Sequence, residues 1–208
     1  LLLRVMELSP ISDLEIETMF SEMRAHMLTR VTRRRGEVQG LSFYVAMAMH
    51  CFANEYVFSV SEEEKHTIQI LQSEVKSALE NGVVSSARIM VLAAYSPLAS
   101  FAWADDLLRF EWSADMQKVI IAQLNDIRKE KSLSSQISRL TTLEDQVSQA
   151  VRNQYEENPY PRWINTGLSN KPETIRQVFR TINLHHNLDI QQLSARPDVL
   201  IAGCGTGQ

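Results

Sequence analysis

A chain of 208 residues with 44% hydrophobic and 22% charged residues has the composition of an ordinary globular protein with a buried core. The formal net charge of −4 lacks the basic excess of a general nucleic-acid binder, so no nucleic-acid partner is expected. Two cysteines, Cys51 and Cys204, far apart and without CxxC spacing, argue against a disulfide scaffold and for a reducing, cytoplasmic compartment.

No membrane association is expected. The most apolar stretch, Leu41 to Val60, is interrupted by His50, Asn54 and Glu55, which a lipid core would not tolerate cheaply. The opening Leu1-Leu2-Leu3-Arg4-Val5-Met6 is too short, and its charge order is wrong, for a secretory signal. The chain starts without Met and stops at Gln208 directly after a glycine loop, so both ends are expected to be cuts through a longer protein.

Seven Gly and six Pro leave long stretches free for helix. The first clear helix is predicted to open at Ser12-Asp13-Leu14-Glu15, a capping-box spacing, with Leu14, Met19, Met23, Met27 and Val31 as its buried stripe. Arg33-Arg34-Arg35-Gly36 should end it, cations complementing the helix dipole and Gly taking the left-handed cap. A second helix, apolar nearly all round and therefore central, is predicted over Leu41 to Phe58. Ser61-Glu62-Glu63-Glu64 is another capping box, opening a third helix with Ile68, Leu71, Val75 and Leu79 inside and a stop at Asn81-Gly82. Shorter helices follow around Ser86–Tyr95 and Trp103–Phe110. A stronger one spans Ala114–Lys129, with Met116, Val119, Ile120, Leu124 and Ile127 on one side, and a last one runs from Thr142 to about Glu157. The expected architecture of residues 1–150 is an irregular helical bundle without a fixed-period repeat, serving as an accessory region.

Polar residues inside this body invite a sharper reading. His50, Cys51, Asn54 and Glu55 cluster on the second helix, and His50 and Asn54 share a face. A metal site would need a third ligand at suitable spacing, which the neighbourhood lacks, so the cluster is assigned to helix packing and no metal is expected. Adjacent His185 and His186 point in different directions on a helix and are assigned no shared ligand role.

Residues 151–170 change texture. Asn158-Pro159-Tyr160-Pro161-Arg162-Trp163 cannot be helix, because each Pro removes a donor and biases its predecessor toward extended backbone. The strap presents Tyr160, Arg162 and Trp163 either as an interdomain linker whose aromatics pack down or as a lid over a ligand. Residues 171–208 start a second domain. Asn170-Lys171-Pro172-Glu173 should begin a helix carrying Ile175, Val178, Phe179 and Ile182, and Val199-Leu200-Ile201-Ala202 reads as a strand buried on both faces.

Directly after that strand come Gly203-Cys204-Gly205-Thr206-Gly207. Glycines after a buried strand make a tight loop at the carboxyl edge of a sheet, where a cofactor can approach the backbone. The dinucleotide spacing GxGxxG would need a third Gly at position 208, which is Gln, and no Gly-Lys-Ser/Thr of a phosphate-binding loop follows.

Val199 through Gly207 resembles the first motif of class I S-adenosylmethionine-dependent methyltransferases. With Gln154–Trp163 and Cys51–Phe58, the chain is similar to bacterial proteins that join N-terminal tetratricopeptide repeats, a helical region and a C-terminal methyltransferase domain. The resemblance implies a mainly α chain that ends in the first helix and strand of a truncated Rossmann-like domain. It implies S-adenosylmethionine as cofactor, held by Ala202, Gly203, Cys204, Gly205, Thr206 and Gly207, with Tyr160, Arg162 and Trp163 as a lid. The methyl acceptor, a small molecule or a protein, is not specified, and no catalytic residue is named. The helical region would dock substrate or a protein partner, and residues 1–208 alone should show no turnover. Many members of the superfamily carry an acidic residue two places before the first Gly, and that position is Ile201 here. That puts in doubt a carboxylate contact from this strand; the alternative reading is a helical interaction scaffold with a degenerate cofactor domain.

Overall fold

The structure, a computed structural model, describes residues 1–8, 11, 13–33, 38–136, 149–151, 153, 154, 171–181, 189, 192, 194 and 196–198. The chain divides into two compact units, Leu1–Ile164 and Asn165–Gln208. The described residues are mainly helical and contain no strand. No helix among them is long and apolar enough to cross a membrane.

The first unit is a bundle built around one apolar helix. Helix α1 (Leu2–Leu8), unexpected from the sequence, packs on the central helix α3 (Leu41–Ala53), and its Met6 is fully buried. Helix α2 (Leu14–Arg33) starts one residue later than the Ser12–Glu15 spacing suggests. Asp13 is its cap, Oδ1 accepting from the Ile16 amide at 3.0 Å. A carboxylate caps as well as a hydroxyl and adds a favourable charge at the positive helix end.

The buried stripe of α2 also departs from expectation. Leu14 is 80% exposed and Met23 37%, whereas Phe20, Arg24, Met27, Leu28 and Val31 are buried. These five lie at i, i+4, i+7, i+8 and i+11, a helical stripe that places the bulkier Phe20 and Leu28 inside. An arginine completes it, which a polarity pattern assigns to solvent.

Helix α3 (Leu41–Ala53) is the centre: every residue from Tyr44 to Ala53 is buried, and α1, α2, α5 and the helix following the second 3-10 turn pack around it. It stops five residues before the expected Phe58. Asn54 caps it, and Glu55 and Tyr56 adopt left-handed backbone with φ of 50° and 57°. The reversal lets the Tyr56 amide donate to the Cys51 carbonyl at 2.9 Å, satisfying an end-of-helix acceptor. The chain then re-enters the core at Phe58.

Helix α4 (Glu62–Glu80) follows the sequence expectation closely. The Ser61 amide donates to Glu64 Oε2 at 2.8 Å and the Glu64 amide to Ser61 Oγ at 3.2 Å, the reciprocal capping box. Ile68, Leu71, Val75 and Leu79 are buried, and the helix ends at Asn81 and Gly82, the latter at φ 73°. Helix α5 (Ser86–Ala93) packs against α2, α3 and α4. Two 3-10 turns follow, Leu98–Ser100 and Ala104–Arg109, the second standing where an α-helix was expected over Trp103–Phe110. Phe101 and Trp103 stack between them, centroids 4.8 Å apart.

The helix expected over Ala114–Lys129 comes in three parts: α6 (Ala114–Ile120), a π-helical segment (Ile121–Asp126) and α7 (Ile127–Ser134). Met116, Val119, Ile120 and Leu124 are buried as expected, but Ile127 is only half-buried and Gln123 is fully buried. Gln123 falls at helical spacing from Met116 and Val119, and the π turn, which takes up more residues than an α turn, turns the side chains after Leu124 outward. Residues 149–151, 153 and 154 are helical, and the remainder of the helix expected from Thr142 lies outside the described residues.

In the second unit, helix α8 (Ile175–Thr181) begins later than the Asn170–Glu173 start anticipated. Thr174 and Gln177 form its cap: the Thr174 amide donates to Gln177 Oε1 at 2.9 Å, and the Gln177 amide to Thr174 Oγ1 at 3.3 Å. The reciprocal pair fixes the start at Thr174, two residues beyond Pro172. Ile182 and the strand expected at Val199–Ala202 lie outside the described residues.

Candidate functional site

The residues to which the sequence assigns the cofactor, Ala202, Gly203, Cys204, Gly205, Thr206, Gly207, Tyr160, Arg162 and Trp163, all lie outside the described residues. So do His185, His186, Arg34 and Arg35. The polar cluster of the second helix is described, and the structure joins it to residues that the sequence did not single out.

The joining residue is Arg24. It is 1% exposed, near the middle of α2 and facing the bundle interior. Its Nη2 donates to the Ser59 carbonyl at 2.7 Å, tying α2 to the loop before α4. The guanidinium carbon lies 4.2 Å from the centroid of the Tyr95 ring and 5.5 Å from that of Phe58. Nε and Nη1 have no hydrogen-bond partner among the described residues. The aromatic faces therefore supply much of the compensation for burying this charge.

Tyr95 passes the interaction on. Its hydroxyl donates to Glu64 Oε1 at 2.6 Å, while Glu64 Oε2 accepts from the amide and the hydroxyl of Ser61 at 2.8 and 2.9 Å. Glu64 therefore closes the cap of α4 and anchors the tyrosine that covers Arg24. Burial pushes the Glu64 carboxyl up, but hydrogen bonds from Tyr95 and Ser61 and the charge of Arg24 outweigh it and hold the group below its ordinary value. Tyr95 is driven the other way, first by burial and then by its bond to Glu64, and stays protonated well beyond the usual range.

Cys51 and His50 complete the neighbourhood. Cys51 is fully buried and reduced, and burial pushes its thiol up to about 12 although Arg24 beside it pulls in the opposite direction. His50 is fully buried, edge-on to Phe20 at 4.9 Å and tilted toward Phe58 at 6.0 Å. Asn54 caps α3 through its backbone, its amide donating to the His50 carbonyl at 3.0 Å. Among the described residues, no group of three or more His, Cys, Asp or Glu side chains could hold a metal ion.

A second buried polar residue, Gln123, sits in the π-helical segment. Its Nε2 donates to the carbonyls of Ala48 and Ala93 at 3.0 and 3.1 Å, and its Oε1 accepts from the Leu98 amide at 3.3 Å. One side chain thus links α3, the end of α5 and the first 3-10 turn. Its position, seven residues after Met116 and four after Val119, already lies on the inner face at helical spacing; its polarity is what hides it from a reading by hydrophobic pattern.

Chemically, these groups hold fixed protonation states through the neutral range: Glu64 ionised, Tyr95 and Cys51 protonated. Proton transfer favours groups poised near the working pH, and a buried thiol is a poor nucleophile. The described cluster therefore works as a clamp between helices. Comparison with protein-family models, with curated proteins and with solved structures finds no match to this chain.

Proposed function

We propose that this chain is part of a cytoplasmic S-adenosylmethionine-dependent methyltransferase, in which a helical docking region leads into the cofactor loop. The observation that carries the reading is Gly203-Cys204-Gly205-Thr206-Gly207 placed directly after the apolar run Val199–Ala202. Glycine spacing at the end of a buried strand suits close backbone approach by a cofactor, and the Gln at position 208 disfavours a dinucleotide. The methyl group would pass from the sulfonium to an acceptor nucleophile, which gives up a proton, and S-adenosylhomocysteine would leave. Because the sulfonium is already activated, alignment and water exclusion are the main tasks of the protein. Tyr160, Arg162 and Trp163 would supply a lid, and the bundle of residues 1–150 would dock the acceptor or a protein partner.

Isothermal calorimetry of S-adenosylmethionine with the full-length protein tests this directly. Saturable heat, abolished by Gly205→Val with the melting of the helical body unchanged, is the expected result. No heat at millimolar cofactor would sink the enzyme reading. That outcome would favour the second reading, a helical interaction scaffold with a degenerate cofactor domain, toward which Ile201 at the usual acidic position points. Residues 1–208 alone are expected to show no turnover.

A further inference from the structure

Between α2 and the start of α3 runs a cleft of about 290 Å³. Buried Met27 and Tyr44 form its floor, half-buried Phe43 and the 37%-exposed Met23 line its walls, and exposed His26 and Arg30 stand at its rim. Among the described residues, no Asp or Glu lines it. The charge of Arg30 reaches the Tyr44 hydroxyl, although burial of the phenol has the larger effect and raises its pKa. Arg30 enters no ion pair among the described residues.

Two other clefts of this unit differ in kind. The one between α2 and α4 has Glu63 and Glu64 on its wall together with Arg33, and the one at the end of α4 is spanned by an Arg88–Glu74 ion pair at 2.9 Å. In both, cation and carboxylate are supplied by the chain itself. The described lining of the α2–α3 groove supplies an apolar floor and a cation, but no carboxylate. Since the chain as a whole is acidic, attraction for an acidic partner must be local to Arg30 and not a property of net charge. Two thioethers adapt to anchors of different shape, as in other Met-lined peptide grooves.

We propose that this groove docks a peptide segment of a partner protein that presents an apolar side chain beside a carboxylate. The inference rests on the docking role assigned to the helical region and is independent of cofactor binding.

A phage library of random linear peptides selected on the full-length protein tests it, with the enriched sequences synthesised and titrated by fluorescence anisotropy. The enriched peptides should pair Leu, Met or Phe with Asp or Glu within one helical turn. Their affinity should fall about tenfold or more on Arg30→Glu and on Met23→Asp, both at exposed positions that leave the fold intact by circular dichroism. A Lys-for-Glu peptide should recover binding to Arg30→Glu. Absence of enrichment, enrichment without a carboxylate, or unchanged affinity for both variants would overturn the proposal. Concentration-dependent self-association lost in Arg30→Glu would overturn it too, by giving the groove to a second copy of the chain. Calorimetry with S-adenosylmethionine on the Arg30→Glu protein should be unchanged, so failure of the groove and failure of the cofactor reading are seen separately.

Discussion

The guanidinium of Arg24 lies over the ring of Tyr95, 4.2 Å from its centroid, at a point where α2, α4 and α5 meet. A charge that is 1% exposed tolerates this position because it is a flat, weakly hydrated cation between two aromatic faces, with one strong donor bond to Ser59.

Arg24→Ala should therefore destabilise the protein by about 3 kcal/mol, through lost packing as well as the lost bond to Ser59. Arg24→Met, which fills the space without a charge to desolvate, should cost much less. Urea unfolding of the two variants decides the point. Equal losses would mean that the charge itself, and not the volume, holds α2 in place.

Removing only the hydroxyl in Tyr95→Phe keeps the ring over Arg24 and should cost on the order of 1.5 kcal/mol at neutral pH, the range of a hydrogen bond to a charged acceptor. The pH dependence follows from Glu64. Its folded-state pKa is depressed, so its contribution is present above the unfolded value of 4.5 and is lost as pH falls through the lower folded value. Tyr95 has the opposite sign: its contribution is intact below 10.0 and is lost as pH rises above it. Urea midpoints should fall at both extremes, with Glu64→Gln flattening the acid limb and Tyr95→Phe the alkaline one.

Cys51 should be chemically silent in the folded protein. Its thiol is raised from 9.0 to about 12, so in mildly alkaline buffer it remains protonated as well as buried. In a Cys204→Ser background, dithiobis(nitrobenzoate) should label Cys51 only at the rate of global unfolding, and quickly in urea. Fast labelling under native conditions would show that the Arg24 neighbourhood opens locally.

Gln123→Ala should cost roughly 3 kcal/mol, since it strands the Leu98 amide and removes donors from two carbonyls in a dry interior. Gln123→Glu should be worse, because it places a carboxylate against the Ala48 and Ala93 carbonyls. Thermal melts of the two variants, monitored by circular dichroism, rank them.

Where a signal was local, the sequence was enough to read it. Ser61 and Glu64 are three residues apart and bond each other, and the apolar positions of α4 needed no partner helix to be recognised. The misreadings arose where a distant contact decides the outcome. Arg24 belongs to the buried stripe only because Tyr95 and Phe58 arrive from elsewhere, and that shifts the stripe away from Leu14 and Met23. The end of α3 at Ala53 depends on left-handed backbone at Glu55 and Tyr56, residue types that give no warning of it. Thr174 and Gln177 did carry a local capping signal, hidden by the more conspicuous Pro172. The glycine loop and the strap rest on sequence alone, since they lie outside the described residues.

The π-helical segment Ile121–Asp126 has a consequence for what the bundle shows to its surroundings. By rephasing the helix it ends the inner stripe at Leu124, and α7 continues with no buried residue at all. Beyond the half-buried Ile127 and the ion pair of Arg128 with Asp105, α7 is exposed, and Lys129 and Lys131 project from a helix whose direction is inherited from the core. A single side-chain amide thus marks where the bundle stops and a solvent-facing extension starts, without any break in the helical rod. Changes of sequence along α7 can alter the outer surface while leaving the packing of α3 untouched.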